Sequence, residues 1–257
     1  MSDYPPSIVP VNHVAPVPRR IRAALGGEIV LDTVSALYVW ENSHYPQYYI
    51  PVGDIREGVL VAEGNTQATR RGEVELHGLR IGDVSRPGAA KLLVESSVEG
   101  LNGTVHFDWD ALDAWYEEDE RVLVHPRDPY TRIDVLRSTR QIRIELGGVV
   151  LAQSSSPVIL FETGLPPRYY LNRTEVDFRQ LVPSDTVTAC PYKGRTSAYW
   201  SQRAGEEPIR DVAWCYDFPT AQVAPIAGLV AFYNEKVDIF LDGEKLERPR
   251  TAFSTGS

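Results

Sequence analysis

Hydrophobic and polar positions along the chain alternate in short runs broken by turn residues, the pattern of strands rather than of long helices. Residues 22–32 alternate on either side of Gly26-Gly27, which predicts a hairpin. Ala36-Leu37-Tyr38-Val39-Trp40 and Val158-Ile159-Leu160-Phe161 read as short apolar strands, followed by Tyr48-Tyr49-Ile50-Pro51 and Tyr169-Tyr170-Leu171 as a further strand each. Residues 186–190 and 196–201 flank Pro191-Tyr192-Lys193-Gly194, a second hairpin with Cys190 at its mouth. Two stretches are expected to be helical. One is 111–121, acid-rich with one apolar side, and the other is 220–228 around Val223, Ile226 and Ala227. Pro5, Pro6, Pro10, Pro16 and Pro18 make residues 1–20 an extended arm.

The same words return along the chain. Ile21-Arg22-Ala23-Ala24-Leu25-Gly26-Gly27 recurs as Ile142-Arg143-Ile144-Glu145-Leu146-Gly147-Gly148, an offset of 121 residues that holds without a gap to Ile50 and Leu171. Ten positions match identically over 21–50: Ile21, Arg22, Leu25, Gly26, Gly27, Ser35, Glu41, Pro46, Tyr48 and Tyr49. Beyond them, Trp109 is expected to pair with Trp214, and Ile133-Asp134-Val135 with Val237-Asp238-Ile239. Two copies are too few for a solenoid, so the expectation is a mainly β chain of two related domains about a pseudo-two-fold axis, with one short helix per copy. The expected divisions are an arm over 1–20, a divergent first repeat over 21–138, a second repeat over 139–247 and a tail over 248–257.

Composition narrows the function classes. The formal charge is −9, which argues against nucleic acid or an anionic membrane as partner. No apolar run is long enough to span a bilayer, and the opening Met1-Ser2-Asp3-Tyr4-Pro5-Pro6 lacks the charge and apolar stretch of a secretory signal. The cytoplasm is therefore the expected compartment. Two cysteines cannot make a disulfide framework, and the five histidines show no ligand spacing, so neither metal nor cofactor is expected. Thirteen tyrosines and five tryptophans beside 19 glycines and 19 prolines suit a β-rich chain with aromatic clusters.

The second copy carries an ordered string of unusual words: Pro166-Pro167-Arg168-Tyr169-Tyr170, Cys190-Pro191-Tyr192-Lys193-Gly194, Tyr199-Trp200-Ser201, Ala213-Trp214-Cys215-Tyr216 and 226–233. With these words residues 142–243 resemble the domain of unknown function 427 family, which also carries a nucleotidyltransferase-like label. Residues 21–137 resemble the divergent first half of its tandem members. The resemblance implies small β-rich domains with an aromatic pocket and supplies no reaction. The label fails on the residues: Asp108-Trp109-Asp110 sits five residues after Gly103, at the wrong spacing for a triphosphate turn and a two-metal pair, and Ala213-Trp214-Cys215 has no acids.

Cys190 is the sharpest chemical candidate. A thiol becomes a good nucleophile when a neighbouring cation favours the thiolate, and Lys193 lies three residues on, across a turn. Tyr192 completes the catalytic candidates, and Arg168 would add a donor for an anionic group. The competing reading is a hairpin cysteine with Lys193 reaching out to solvent. Tyr169, Tyr170, Trp200, Trp214, Tyr216 and Tyr233 are the candidate walls of a ligand pocket, against which stands packing alone. On a strand, one tyrosine of each pair faces the core and the other is free to line a pocket. An ungapped alignment sets Ala68-Thr69-Arg70-Arg71 over Cys190-Pro191-Tyr192-Lys193, so thiol chemistry would belong to the second copy alone. In the loop at 125–132, Arg127 and Arg132 either bind an anion or pair with Asp128 and Asp134, and pairing is the expectation. The run 117–120 reads as a solvated helix face. The chain is thus expected to bind a small molecule, with catalysis and pure binding both open, as a monomer with an internal pseudo-dimer or a homo-oligomer of it.

Overall fold

A computed structural model describes residues 9–203, 209–251 and 253–254. The expected arm and tail fall outside the described residues at 1–8, 252 and 255–257. The chain divides into two compact units between Asp128 and Pro129.

The first unit contains β1 (Val14–Pro16), β2 (Ile21–Leu25), β3 (Glu28–Thr33), β4 (Leu37–Val39), β5 (Gln47–Pro51), β6 (Leu60–Thr69), β7 (Gly72–Ile81), β8 (Val84–Ser96), β9 (Thr104–Phe107), β10 (Ala114–Glu117) and β11 (Glu120–Val122). They form a seven-stranded antiparallel sheet in the order β1-β4-β5-β9-β8-β7-β6 and a four-stranded sheet β11-β10-β2-β3.

The second unit contains β12 (Ile133–Arg137), β13 (Ile142–Leu146), β14 (Val149–Ser154), β15 (Val158–Glu162), β16 (Arg168–Leu171), β17 (Leu181–Ser184), β18 (Ala189–Cys190), β19 (Gly194–Arg195), β20 (Ala198–Gln202), β21 (Ile209–Cys215), β22 (Val230–Phe232), β23 (Asp238–Leu241) and β24 (Glu244–Lys245). Its sheets run β12-β15-β16-β22-β21-β20-β17 and β14-β13-β23-β24, with β18 and β19 as a small ribbon. The two seven-stranded orders are the same fold written twice.

The duplication extends to local geometry. Gly26-Gly27 and Gly147-Gly148 all have positive φ, as a two-residue hairpin turn demands, and this is why the pair recurs. Each hairpin carries a bulge at the same place, between Ala23 and Ala24 and between Ile144 and Glu145. Thr33 donates to Asp54 at 2.6 Å, and Ser154 donates to Glu175 at 2.7 Å. Each main core lies between the large and small sheets. Ile21, Ala23, Leu25, Tyr48 and Ile50 help fill the first; Ile142, Ile144, Leu146, Tyr169 and Leu171 hold the matching positions in the second. Burial of such apolar surface is the main stabilising term in a chain without disulfides.

Several expectations change here. The first strand of each half precedes the repeated Ile-Arg word. β1 draws Val14–Pro16 out of the arm expected over 1–20 into the sheet, and β12 lies within the stretch expected to close the first repeat at 138. Residues 111–121 are not a helix. After a 3-10 turn at Trp109–Ala111 they form the β10–β11 hairpin, because Ala114-Trp115-Tyr116-Glu117 alternates in burial and Glu118 takes a left-handed turn conformation. Glu117 is buried and accepts from Arg19 and from the Tyr48 hydroxyl, both at 2.7 Å, so it is no solvated face. The other expected helix is a 3-10 segment, Ala221–Ile226, kinked at Val223 and containing Pro225.

Strand pairing also corrects the long-range matches. Ala90 and Ala213 hold equivalent places opposite Phe107 and Phe232, so Lys91, not Trp109, is the counterpart of Trp214. Val237-Asp238-Ile239 corresponds to the β10 region rather than to 133–135, since β23 pairs with β13 as β10 pairs with β2. Among the described residues no helix is long and apolar enough to cross a membrane.

At the sheet margins, Pro16 ends β1 and Pro183 lies in β17. β6 is interrupted by a shift of register between Ala62 and Thr66. Isolated bridges from Ile55 to Leu31 and from Val176 to Ala152 lie along β3 and β14.

Candidate functional site: a clasp repeated and altered

Strand alternation distributes the candidate residues of β16. Tyr169 and Leu171 face the core between the sheets, while Arg168 and Tyr170 point to the opposite face. On that face Tyr170 joins Tyr199, Trp214, Tyr216, Val223 and Ile226, with Tyr233 packed alongside. Trp214 and Tyr233 are 4.4 Å apart between ring centroids, and Tyr170 meets Trp214 edge-on at 6.4 Å. Four of the six expected pocket aromatics therefore gather: Tyr170, Trp214, Tyr216 and Tyr233. Tyr169 and Trp200 belong to the other face. Trp200 packs on Phe178, and Tyr169 borders a separate cleft of about 270 Å³ with Pro167 and Asn234.

The β18–β19 ribbon lies beside this cluster. Gly194, at φ +97°, closes the turn, and its backbone sits against that of Phe218, Pro219 and Thr220. Thr220 binds both the Tyr192 and Lys193 carbonyls, and Thr196 ties the ribbon to Thr188. With the turn pinned in this way, Lys193 does not reach solvent; it is buried, as is Tyr192. The Lys193 ammonium forms an ion pair with Glu162 at the end of β15 and lies 3.8 Å from the Cys190 Sγ. Burial works against the charged lysine, but Glu162, Cys190 and Tyr170 outweigh it and hold the ammonium's pKa above its ordinary value.

The Tyr170 hydroxyl is fully buried and makes no hydrogen bond among the described residues; Trp214 approaches it without reaching bonding geometry. Burial, with Glu162 contributing, pushes its pKa up to about 12 against the opposing pull of Lys193. Tyr216 and Tyr233 are likewise held above the usual phenol range by burial and then by neighbouring phenols, so all three are neutral at physiological pH. Tyr233 shares a hydrogen bond with Tyr199 at 3.0 Å, and Tyr199 shares another with Thr188 at 3.0 Å.

The first half contains the same arrangement in a closed form. Glu41, Tyr49 and Arg71 stand where Glu162, Tyr170 and Lys193 stand. There the Tyr49 hydroxyl donates to Glu41 at 2.5 Å and accepts from Arg71 Nε at 2.9 Å, while Arg71 also pairs with Glu41 at 2.9 Å. A guanidinium has enough donors to satisfy carboxylate and hydroxyl together; in the second half the lysine is committed to Glu162 and the phenol goes unmet. The thiol's counterpart also differs from the ungapped alignment. Cys190 opposes Gly194 as Thr69 opposes Gly72, so Thr69 rather than Ala68 is its equivalent, and the second-half turn is one residue longer. The Thr69 hydroxyl is stitched into its own turn, donating to the Gly72 carbonyl at 2.8 Å.

Arg168 is not an open anion site. It makes a bidentate pair with buried Glu235 at 2.7 and 2.8 Å, binds Asn234 at 3.1 Å, and lies over Trp214, Tyr233 and Phe253. Cys215, the second thiol, is on the core face, where burial raises its pKa and Arg173 donates to its sulfur. In the 125–132 loop, Arg132 pairs with Asp134 at 2.8 Å and Arg127 approaches Glu117 at 3.8 Å, while Asp128 accepts from the Trp40 indole. His106, half-buried against Tyr49, has its pKa lowered by desolvation, and its neighbour Asp108 pairs with Lys91. Among the described residues no three His, Cys, Asp or Glu side chains are grouped to hold a metal ion. Glu162, Tyr199 and Thr188 are the members that sequence reasoning missed. The identity of Glu41 and Glu162 within the repeat is the one signal that pointed to any of them.

A family model described as Domain of unknown function (DUF427) matches residues 13–118 and again 134–243, once per half and each time from the edge strand onward. The chain belongs to the DUF427 family. No curated protein matches it. As a tandem DUF427 chain it carries its own internal comparison, one clasp closed by arginine and one left open beside a thiol.

Proposed function

We propose that this DUF427 chain is a small-molecule-binding protein whose working site lies in the second half, and that Cys190 is its reacting group. Lys193, Glu162 and Tyr170 form the polar interior, with Trp214, Tyr216 and Tyr233 as the aromatic wall. The observation that supports the reading best is the contrast between the halves. The same scaffold satisfies every group of the Glu41–Tyr49–Arg71 clasp, yet leaves the buried Tyr170 hydroxyl unmet next to a lysine that touches a thiol. Cys190 is partly exposed, which gives a ligand a way to the group. The first half, with Thr69 for Cys190, keeps the clasp as a structural element.

Binding without reaction is the second reading, and Glu162 favours it. Its carboxylate already neutralises the Lys193 ammonium, so the lysine offers the sulfur little net positive field. Iodoacetamide kinetics at Cys190 across pH separate the two. Alkylation faster than that of a free thiol supports the nucleophile; a rate and pKa equal to a free thiol's, together with full ligand affinity in Cys190→Ala, leaves binding alone.

A further inference from the structure

We infer that the group received at this site is a neutral carbonyl, specifically an aldehyde, with its oxygen held by Tyr170 and Lys193 and its carbon facing the Cys190 thiol. The inference rests on the small-molecule reading of the second half given above. It begins from the unmet phenol. Tyr170 is completely buried, and its hydroxyl has Lys193 and Glu162 as charged neighbours, yet no hydrogen-bond partner among the described residues. In the first half the equivalent oxygen has two partners, and a guanidinium supplies one of them. With an ammonium in place of that guanidinium, the phenol's bonding capacity goes unused, and the lysine keeps donors beyond the one it gives Glu162.

Charge selects the kind of acceptor. Lys193 is balanced by Glu162 and Arg168 by Glu235, and the Trp214 indole and the hydroxyls of Tyr199, Tyr216, Tyr233 and Thr188 in the same cluster carry no charge. The cluster is neutral as a whole. A carboxylate or phosphate placed there would be a buried charge with no counter-ion, whereas a carbonyl oxygen needs only the two donors on offer. With the sulfur 3.8 Å from the Lys193 nitrogen, an oxygen bonded to that ammonium brings its own carbon alongside the sulfur. Lys193, kept as an ammonium by Glu162, does not compete as an amine.

The step is an addition. A sulfur–carbon bond forms as the carbonyl π bond opens, and the thiol proton ends on the former carbonyl oxygen. The product is a hemithioacetal; nothing leaves, and no oxidant, reductant or second substrate takes part. An aldehyde fits better than an amide or ester because its carbon accepts a thiol without a leaving group.

The test uses the full chain, iodoacetamide, and peptide mass spectrometry to follow alkylation at Cys190. Three ring compounds of like size serve as probes: benzaldehyde, benzoate and benzyl alcohol. Benzaldehyde is expected to slow alkylation at least about tenfold, while benzoate and benzyl alcohol leave it unchanged. Tyr170→Phe is expected to weaken benzaldehyde protection about tenfold, the effect of one hydrogen bond. Protection is read against each variant's own rate without aldehyde, and the substitution should not lower the unfolding midpoint. Undiminished protection in Tyr170→Phe overturns the inference. So does protection by benzoate equal to that by benzaldehyde, although that result still upholds a ligand site in the second half. No protection by any probe, with Cys190 alkylating like a free thiol, overturns the aldehyde and the site together.

Discussion

Removing one oxygen atom from each of two equivalent tyrosines should have opposite consequences. Tyr49 and Tyr170 are both fully buried on matching strands. The Tyr49 hydroxyl makes two hydrogen bonds to charged partners, Glu41 and Arg71. Such bonds contribute about 1.5–3 kcal/mol each, and the partial exposure of Glu41 and Arg71 lets water recover some of that, so Tyr49→Phe should cost about 2–3 kcal/mol. Tyr170→Phe removes no bond and relieves the desolvation of an unmet hydroxyl, so it should be neutral or stabilise by up to about 1 kcal/mol. Urea unfolding reads the difference directly. With a slope of about 1–3 kcal/mol per molar, Tyr49→Phe lowers the midpoint by about 1–2 M while Tyr170→Phe leaves or raises it. Amide exchange by mass spectrometry assigns each effect to its half. Equal losses in the two variants would refute the distinction between a closed and an open clasp.

Other outcomes follow from the same contacts. Arg168→Met strands buried Glu235 and should destabilise the second half by about 3 kcal/mol in urea, whereas Arg168→Lys should retain part of the loss. Lys193→Arg should recreate the first-half clasp, raising the second half's urea midpoint and abolishing protection of Cys190 by benzaldehyde. Gly72→Ala should cost more than about 2 kcal/mol, confined to the first half, because its Cβ would fall 1.9 Å from the Glu95 carbonyl oxygen at φ +136°. Desolvation lowers the His106 pKa below 6.5, so the folded first half binds fewer protons than the unfolded chain. Its contribution is present above that value and is lost as pH falls through the folded-state pKa; urea midpoints measured from pH 7 to 5 should fall, and less steeply in His106→Gln.

Much of the architecture was legible because a duplicated chain repeats its constraints. Gly26-Gly27 and Gly147-Gly148 recur since both turns need two left-handed residues, and the offset of 121 carries through the bulges and the Thr33 and Ser154 hydrogen bonds. The offset then drifts as turns lengthen. The added residue at Pro191-Tyr192-Lys193 and the 3-10 segment before β22 displaced the expected matches of Trp109 and of 133–135. The acid run at 117–120 hid a strand, because Glu117 is buried by partners far away in sequence, at Arg19 and Tyr48. At the site, Cys190 and Lys193 were visible through their shared turn. Glu162 was not, since it reaches Lys193 from a strand 31 residues earlier. Tyr169 and Trp200 could not be separated from Tyr170 and Trp214 without knowing the strand register.

The interrupted sheet margins bear on how chains could meet. Pro16 and Pro183 each remove a backbone donor from an outer strand, the break in β6 disturbs the spacing another strand would need, and the bridges from Ile55 and Val176 occupy part of β3 and β14. These five margins are thus poor templates for growth by added strands, so association along them would have to use side-chain faces. Pro183→Val restores a donor on β17, and its first effect should be time-dependent aggregation at high concentration rather than loss of the fold.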